Sequence, residues 1–364
     1  MYDFLVVGSG LFGSTFAEHA KKLGKKVLVI DKREHVAGNC YTEKKEEINI
    51  HKYGPHIFHT SNEKIWNYVN RFAKFNHFRY TPKVNYKGDI YSFPINLMTL
   101  NQLWGVTNPK DAQKKLESVR VKIDNPSNLE EWILSQVGEE IYNIFIKGYT
   151  TKQWGRDPKD LPSSIIKRLP IRLTYDENYY KDCYQGIPIG GYTDLISNML
   201  DGVEVKTGVD YFSEKKSLEK MAKNVVYTGK IDEYFNYSFG ELEYRTQRFE
   251  TERHTGDFQG VAGINYGERD IPFTRIIEHK HFEFLKLDYT YITREYPDSW
   301  SRDKTPYYPI NDNSNNLIYN KYKELSKSEK NVIFGGRLAE YKYYDMHQVI
   351  GSAMSKARKV LDEQ

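Results

Sequence analysis

The stretch "DFLVVGSGLFG" (residues 3–13) decides the fold of this chain. Its first half is a short apolar run that is typical of a buried parallel strand. Its second half places glycines at positions 8, 10 and 13, and an amphipathic helical pattern follows. A second apolar run, "KKVLVID" (25–31), ends in an aspartate. Strand, glycine turn, helix and strand in this order predict a dinucleotide-binding βαβ unit.

The glycine spacing has a physical reason at each position. Gly8 permits the tight turn, Gly10 lets the backbone approach a pyrophosphate, and Gly13 allows close packing of the helix on the strand. The helix N-terminus adds unpaired N–H groups and a dipole that favours an anion. Asp31 follows Gly8 at close to the ~20 residues at which an acidic side chain meets a ribose hydroxyl. An ordinary βαβ unit with a glycine turn is the alternative for this pattern taken alone.

Bulk composition limits the class of protein. A chain of 364 residues is too long for one small core, so two or three lobes are expected. The net charge of +4 is spread as mixed clusters without a basic arm, which argues against a nucleic-acid partner. No apolar run approaches the ~20 residues of a membrane span, and the N-terminal pattern lacks a signal-peptide region, so a cytoplasmic protein is expected. Cys40 and Cys183 show no metal-ligand spacing, so no metal site is predicted.

A mostly helical lobe is predicted over residues 95–165. Its main element is a helix over 127–148, which opens with a capping box from Ser127 to Glu130 and carries apolar residues at helical spacing. Gly148 is predicted to end this helix.

The remainder of the chain changes pattern twice. Residues 225–300 are strand-like, beginning with "NVVYTG" (224–229), and predict an antiparallel sheet. The C-terminal part then repeats strand, paired glycines and a helix opened by Asp345 and Gln348. A nucleotide-type turn at both ends of the chain predicts that one cofactor is held by a discontinuous domain.

NAD and FAD both use this glycine turn, and two features favour FAD. "DKREHVAGN" (31–39) places a basic pair and a second glycine turn after the ribose acid, and "GGR" (335–337) precedes a capped helix. The fold class expected is α/β, with a discontinuous FAD-binding Rossmann-like domain, an inserted helical lobe and an antiparallel β-sheet substrate domain. The predicted boundaries are 1–75, 185–235 and 325–364 for the FAD-binding domain, 95–165 for the helical lobe, 165–180 for a mobile lid, and 76–94 with 236–324 for the sheet domain.

Seven motifs resemble those of the bacterial UDP-galactopyranose mutase family, in the family's order and over the whole chain. They are GSGLFG (8–13), HKYGPHIFHT (51–60), KGYTTKQWG (147–155), IIKRLP (165–170), FTRIIEH (273–279), PYYP (306–309) and FGGRLAEYKYYDMHQ (334–348). The second and third are far more specific than the glycine fingerprint. Two positions depart from the family: Ala37 replaces a glycine of the usual Gly-Gly-Asn turn, and Tyr80 stands where relatives often carry Asn.

The resemblance implies a cytoplasmic, homodimeric flavoprotein that serves cell-surface polysaccharide biosynthesis. Such enzymes interconvert UDP-galactopyranose and UDP-galactofuranose without net redox change. The family's chemistry uses N5 of reduced FAD as a nucleophile on the anomeric carbon, and UDP leaves and returns. Three alternatives remain: an FAD-dependent oxidoreductase of the amine-oxidase type, the same mutase chemistry on UDP-N-acetylgalactosamine, and a non-catalytic flavoprotein or nucleotide-sugar binding protein.

The resemblance also implies roles for individual residues. Arg168 and Arg275 would be the cations that stabilise the diphosphate leaving group, and His56 would lie beside the flavin ring. The substrate-binding residues would be Tyr80, Phe145, Tyr149, Thr150, Trp154, Tyr179, Arg245, Asn265, Tyr308 and Tyr343. The cofactor-binding residues would be Gly8, Gly10, Phe12, Gly13, Asp31, Lys32, Gly38, Asn39, His56, Ile57, Arg337, Asp345 and Met346.

Overall fold

The structure is a computed structural model that describes residues 1–167 and 169–362. The chain forms two compact units. Unit 1 comprises residues 1–77, 182–245 and 302–364, and unit 2 comprises residues 78–181 and 246–301. The domain boundaries predicted from the sequence stay a prediction.

Sixteen strands and twelve α-helices are present among the described residues. The strands are β1 (Tyr2–Val7), β2 (Val27–Ile30), β3 (Thr42–Lys45), β4 (Ile48–His51), β5 (Phe58–Thr60), β6 (Lys83–Tyr86), β7 (Asp89–Ser92), β8 (Tyr184–Gly186), β9 (Glu204–Lys206), β10 (Ala222–Tyr227), β11 (Tyr244–Thr255), β12 (Gly263–Tyr266), β13 (Arg275–Glu278), β14 (Tyr289–Asp298), β15 (Tyr308–Pro309) and β16 (Val332–Phe334). The helices are α1 (Leu11–Lys22), α2 (Glu63–Val69), α3 (Leu97–Trp104), α4 (Pro109–Val119), α5 (Leu129–Ile141), α6 (Gly148–Trp154), α7 (Gly191–Met199), α8 (Lys215–Met221), α9 (Ile231–Tyr234), α10 (Asn313–Ser326), α11 (Gly336–Ala339) and α12 (Met346–Asp362). Within the described ranges, none of these helices combines the length and apolar character that a membrane crossing requires.

Unit 1 is built on a parallel sheet in the order β16, β10, β1, β2, β9. Helices α1 and α12 pack together, and the apolar residues of β1, β2 and α1 are almost fully buried. The α/β fold class with a Rossmann-like unit is thereby confirmed. The prediction that "NVVYTG" belongs to the antiparallel sheet is wrong, because β10 pairs in parallel with β1. Its apolar run is buried at Val225 and Val226, as is typical of a strand covered on both faces.

Unit 2 contains a sheet in the order β11, β14, β13, β12, β6, β7. All of these pairs are antiparallel except β12 with β6. Helices α3 to α6 belong to the same unit, and their apolar faces form its core with Val84, Phe93 and Ile95.

The predicted helix over 127–148 is more irregular than its sequence pattern. Asn128 caps α5 by accepting from the amide of Glu131, so the predicted Ser127–Glu130 capping box is wrong by one residue. Gly138 has a positive φ of 79° inside α5, where a Cβ would lie 2.4 Å from the carbonyl oxygen of Val119.

A wide π-type segment, Tyr142–Lys147, joins α5 directly to α6. Gly148 has ordinary helical angles, so it does not end the helix as predicted. The stop is Gly155, whose φ of 64° lies in the left-handed region. Tyr149, Thr150 and Trp154 therefore lie on one continuous helix, α6.

Candidate functional site

Unit 1 contains a cavity of about 360 Å³ at the carboxyl end of β1. Eleven of the predicted cofactor-binding residues line it: Gly8, Gly10, Phe12, Gly13, Asp31, Lys32, Gly38, Asn39, His56, Arg337 and Met346. The lining does not include Ile57, which is buried, or Asp345, which precedes α12. A nucleotide cavity at this edge follows from the rule that ligands bind at the carboxyl ends of parallel strands.

Two glycines of the cavity have different roles. Gly13 allows helix α1 to pack closely on the glycine turn, and Gly10 leaves room for a ligand. A Cβ on Gly13 would lie 2.0 Å from the carbonyl oxygen of Gly8, so α1 can approach the turn only with glycine there. A Cβ on Gly10 would meet nothing closer than the Cα of Gly38 at 3.9 Å. Helix α1 begins at this position without a side-chain cap, so its first N–H groups are available to an anion.

Asp31 is held by the glycine turn itself. One carboxylate oxygen accepts from the amide of Ser9 at 2.9 Å and from its hydroxyl at 2.7 Å, and the other accepts from the amide of Arg33 at 3.0 Å. Its carboxylate lines the cavity while fixing the loop. Contact with a ribose stays a prediction.

Arg33 is a cavity residue that the sequence reasoning did not single out, although the basic pair after Asp31 was its signal. Its Nη2 donates to the side chain of Asn39 at 2.8 Å, and its guanidinium lies 4.3 Å from the ring centre of Tyr53. Its Nη1 is buried and has no hydrogen-bond partner among the described residues. A buried cationic donor without a partner, beside an open glycine turn, fits the diphosphate of a dinucleotide cofactor.

Other lining residues were also missed. They include residues 209–212, 227–230 and 302–305, which are distant in sequence and lie outside the seven family motifs. Thr228 closes the glycine turn, because its hydroxyl donates to the carbonyl of Val7 at 2.7 Å.

His56 lines the cavity from the loop before β5. Its backbone amide donates to Nδ1 of His51 at 3.0 Å, and its own Nδ1 lies 2.8 Å from the carbonyl oxygen of Gly54. A carbonyl oxygen only accepts, so Nδ1 carries the proton and Nε2 is the acceptor in the neutral ring.

A second group of predicted residues lies in unit 2, in a row across its sheet. Asn265 on β12 is directly opposite Arg275 on β13, which is directly opposite Glu295 on β14. Nε and Nη2 of Arg275 donate to one oxygen of Glu295 at 2.9 and 2.7 Å. Glu295 is fully buried, and burial raises its pKa against the opposing effect of Arg275.

Two acceptors in this row lack partners. Oε1 of Glu295 and Oδ1 of Asn265 are buried and make no hydrogen bond within the described part of the chain. An unsatisfied buried acceptor costs about 1–3 kcal/mol.

Three tyrosines surround the row. Tyr149 on α6 lies near Arg275, Tyr80 and Tyr179, and burial raises its pKa to about 12. Burial also raises the pKa of Tyr80, against Arg275 beside it. The amide of Tyr179 donates to the carbonyl of Tyr80 at 2.8 Å, and the two rings meet edge to face at 5.8 Å. At neutral pH these phenols are protonated and can donate hydrogen bonds.

Helix α6 and the segment before it contribute the other predicted residues of unit 2. Thr150 is buried, and Trp154 is half-buried against the apolar core. Phe145 is buried and stacks on Phe93 with ring centres 6.1 Å apart. Lys152 ties the helix to the sheet unit through the carbonyls of residues 266, 271 and 273.

The remaining predicted substrate residues lie in unit 1. Arg245 pairs with Tyr308 across β11 and β15, and the rings of Tyr308 and Tyr343 stack at 5.5 Å. Arg337 lies 5.5 Å from the ring centre of Tyr343. Arg168, predicted as a catalytic cation, lies outside the described residues.

Comparisons with known proteins agree with this architecture. A family model described as UDP-galactopyranose mutase matches residues 144–343, and an NAD(P)-binding Rossmann-like domain matches residues 6–72. The chain is 40% identical over 369 residues to a dTDP-fucopyranose mutase of Escherichia coli, covering 98% of both chains. It is 38% identical over 366 residues to a probable UDP-galactopyranose mutase of Klebsiella pneumoniae, covering 99% of this chain and 94% of that one. A crystal structure of reduced UDP-galactopyranose mutase shares the fold with a TM-score of 0.75 at 12% identity, over 100% of this chain and 94% of that chain.

Proposed function

Because the chain belongs to the UDP-galactopyranose mutase family and is therefore a mutase, we propose that it interconverts UDP-galactopyranose and UDP-galactofuranose with bound FAD. The observation that carries the substrate proposal is the row of Asn265, Arg275 and Glu295 with its two buried, unsatisfied acceptors. The sugar of a nucleotide sugar supplies the hydroxyl donors that those acceptors lack, and its diphosphate suits the guanidinium. We expect the protein to be a homodimer.

The cavity of unit 1 is the proposed FAD site. Arg33 and the N-terminus of α1 would bind the diphosphate, Asp31 would accept from the ribose, and His56 and Met346 would contact the flavin end. Reduced FAD, when bound, supplies a nucleophile at N5 for the anomeric carbon of the sugar, with no net redox change.

Arg275 is the proposed stabiliser of the leaving diphosphate, together with Arg168. A guanidinium is permanently charged and binds phosphate oxygens in a bidentate manner. The two hydrogen bonds that Arg275 donates to Glu295 hold the guanidinium plane fixed, so little orientation entropy is lost when the diphosphate binds. The protonated phenols of Tyr80, Tyr149 and Tyr179 would add neutral donors to the same anion.

Helix α6 is the proposed wall of the nucleotide pocket. Tyr149 would stack on the uracil, and Thr150 and Trp154 would contact the remainder of UDP. The lid proposed at 165–180 has a fixed second half, because the amide of Arg172 donates to Ile95 at 3.0 Å and the amide of Leu97 donates to Thr174 at 2.9 Å. Closure that excludes water would therefore involve the residues before Arg172.

The decisive experiment incubates the purified protein with UDP-galactofuranose, with and without dithionite, and separates the products by chromatography. Conversion to UDP-galactopyranose only after reduction is expected. Conversion in neither state contradicts the proposal, and consumption of an electron acceptor in step with product would indicate the amine-oxidase type of chemistry. Parallel reactions with UDP-N-acetylgalactosamine and with dTDP-fucopyranose, the substrate in the name of the Escherichia coli relative, rank the substrates.

A matched pair of variants ties the activity to the row in unit 2. Arg275→Lys loses the bidentate geometry and is expected to lower kcat/KM by about 100-fold, an effect of about 2.7 kcal/mol. Arg253→Lys, on the exposed part of β11, should keep the wild-type rate. Equal rates for the two variants would remove Arg275 from the mechanism.

A further inference from the structure

Lys152 lies in the motif KGYTTKQWG (147–155), and the proposed function gives it no role. It is half-buried on α6, and its ammonium donates to the carbonyl oxygens of Tyr266 at 2.9 Å, Ile271 at 3.0 Å and Phe273 at 2.9 Å. An ammonium has three N–H donors and no acceptor, so these bonds use its full donor capacity. Lys152 therefore has no N–H group left for a ligand, and any effect on the reaction passes through the groups that it holds.

The three carbonyls belong to the turn between β12 and β13, and they lie on both of its arms. Tyr266 ends β12, whereas Ile271 and Phe273 lie on the returning arm just before β13. The amide of Tyr266 donates to the carbonyl of Thr274 at 2.9 Å, and the amide of Thr274 donates to the carbonyl of Glu295 on β14 at 2.9 Å. A single ammonium thus joins the two arms beside the point where they enter the sheet.

Two residues of the proposed substrate site flank this turn. Asn265 immediately precedes Tyr266, and Arg275 immediately follows Thr274. The two flanking residues lie directly opposite each other in the pair of β12 and β13. The position of the guanidinium therefore depends on the geometry of the turn that Lys152 holds.

Helix α6 lies against the same turn through close backbone contacts. A Cβ on Gly148 would lie 2.1 Å from the carbonyl oxygen of Gly267, and a Cβ on Gly267 would lie 2.1 Å from the carbonyl oxygen of Ile144. Gly148 and Lys152 are four residues apart, so they share one face of the helix. The backbone contact and the ammonium, one helical turn apart, both hold α6 on the turn.

We propose that Lys152 is a positioning residue that couples the nucleotide-binding face of α6 to Arg275, the cation for the leaving diphosphate. This inference rests on the proposed function and adds to it a residue that touches neither substrate nor cofactor. A substrate whose nucleotide packs on Tyr149 and Trp154 meets a guanidinium at a fixed distance from that helix. Such placement matters because a displacement of about 1 Å can cost about 100-fold in rate.

A double-mutant cycle on UDP binding separates this role from general stabilisation of the fold. The full-length flavoprotein is titrated with UDP by calorimetry as the wild type, Lys152→Met, Arg275→Lys and the double variant. Lys152→Met is expected to lower the affinity about tenfold in the wild-type background but less than about twofold in Arg275→Lys, where the bidentate geometry is already lost. Equal losses in the two backgrounds would show that Lys152 acts independently of Arg275 and would overturn the proposal.

Lys147→Met is the matched control, because it makes the same substitution in the same motif. Lys147 is exposed and immediately precedes α6, and its ammonium lies 5.8 Å from the ring centre of Tyr142. This variant should bind UDP as the wild type does, and a loss equal to that of Lys152→Met contradicts the proposal. Circular dichroism checks the fold of each variant. Lys152→Gln, which keeps two N–H donors, replaces Lys152→Met if the latter does not fold.

Hydrogen exchange measures the turn itself without a ligand. The amides of Tyr266 and Thr274 should exchange faster in Lys152→Met than in the wild type and in Lys147→Met, because the two arms lose their link. Unchanged exchange would show that the turn keeps its geometry without Lys152, which overturns the proposal.

These measurements do not need turnover, so they are separate from the test of the proposed reaction. A wild type that binds UDP but converts no UDP-galactofuranose would contradict the reaction, and the cycle would still decide the role of Lys152. A wild type that binds no UDP would contradict both.

Discussion

Glu295 and Arg275 show how much of a site depends on register. They lie 20 residues apart in sequence, and only the alignment of β13 with β14 makes them direct neighbours. The motif FTRIIEH identified Arg275, but no local pattern identifies Glu295, which is fully buried and holds the guanidinium through two bonds. Replacing it would leave the half-buried guanidinium of Arg275 without its counter-ion, which is destabilising.

Arg33 was missed for a different physical reason. The basic pair after Asp31 was visible in the sequence, but which of Lys32 and Arg33 turns inward depends on the path of the loop. In the structure Lys32 is exposed, while Arg33 is held by Asn39 and Tyr53. The residue types were predictable, and the assignment of the buried cation was not.

His279 is expected to make the protein sensitive to mild acid. Burial lowers its pKa from 6.5 to about 3, against the opposing effect of Glu278, and its Nε2 lies 2.7 Å from the hydroxyl of Thr293. Above pH 6.5 the ring is neutral in both the folded and the unfolded chain. As the pH falls from 6.5 toward 3 only the unfolded chain takes up the proton, so stability falls by about 1.4 kcal/mol per pH unit.

The measurement is urea unfolding at pH 7 and pH 5 for the wild type and His279→Gln, which keeps a polar partner for Thr293. Between these values the wild type should lose about 2 kcal/mol more than the variant. Protonation of Glu18 and Glu278 does not contribute between pH 5 and pH 7. Their pKa values in the folded chain are about 2, so these carboxylates change the stability only below about pH 4.5. Equal losses in the two proteins would mean that His279 is protonated in the folded chain.

At the scale of elements, helix α6 explains why the aromatic run 149–155 occurs where it does. The sequence predicted that Gly148 ends a helix, because glycine commonly does so. The structure gives another reason for glycine: a Cβ at Gly148 would lie 2.1 Å from the carbonyl oxygen of Gly267. A close approach between elements distant in sequence leaves no local signal, so the sequence does not show why position 148 must be glycine.

Gly148→Ala is expected to displace α6 from the β12–β13 turn and to move Tyr149 and Trp154 with it. Isothermal titration with UDP should show affinity at least tenfold lower, while the bound flavin is retained. Trp154→Ala should likewise lower the affinity for UDP and retain the flavin, because it removes an aromatic ring of α6 directly.

Gly351→Ala is the control. Its Cβ would meet only Ile65 at 3.4 Å, and alanine has a higher helix propensity than glycine. Loss of flavin in Gly148→Ala or Trp154→Ala would assign α6 to the structural core instead.

The β10 strand illustrates the limit of pattern reading for strands. An apolar run such as Val225–Tyr227 predicts a strand, but its direction depends on its neighbour, β1, which lies more than 200 residues away. Helix α1 and strands β1 and β2, which are consecutive, could be placed correctly because their connections are short. Local order was predictable and long-range pairing was not.

At the scale of the whole molecule, unit 1 is assembled from three separate segments of the chain. The cavity takes residues from all three: the glycine turn and Asp31 from the first, residues 209–212 and 227–230 from the second, and Arg337 with Met346 from the third. A cofactor that contacts all three segments binds only when they are assembled. Binding should therefore stabilise unit 1 as a whole, by about 2.7 kcal/mol at a free FAD concentration of 100 times Kd.

Two glycine variants separate the assembly of the unit from the binding of its cofactor. A Cβ on Gly10 meets nothing closer than 3.9 Å, and its φ of −73° suits any residue, so Gly10→Ala should leave the unfolding of the FAD-free protein unchanged. The same methyl group lies where a diphosphate would approach the backbone, so the variant should lose most of the stabilisation by FAD.

Gly13→Ala places a Cβ 2.0 Å from the carbonyl oxygen of Gly8. This variant should therefore unfold at a lower urea concentration than the wild type, with or without FAD. Hydrogen exchange of the β1 and β10 amides, measured for both variants with and without FAD, distinguishes the two effects. A full FAD-dependent slowing of exchange in Gly10→Ala would show that the cofactor does not approach the glycine turn.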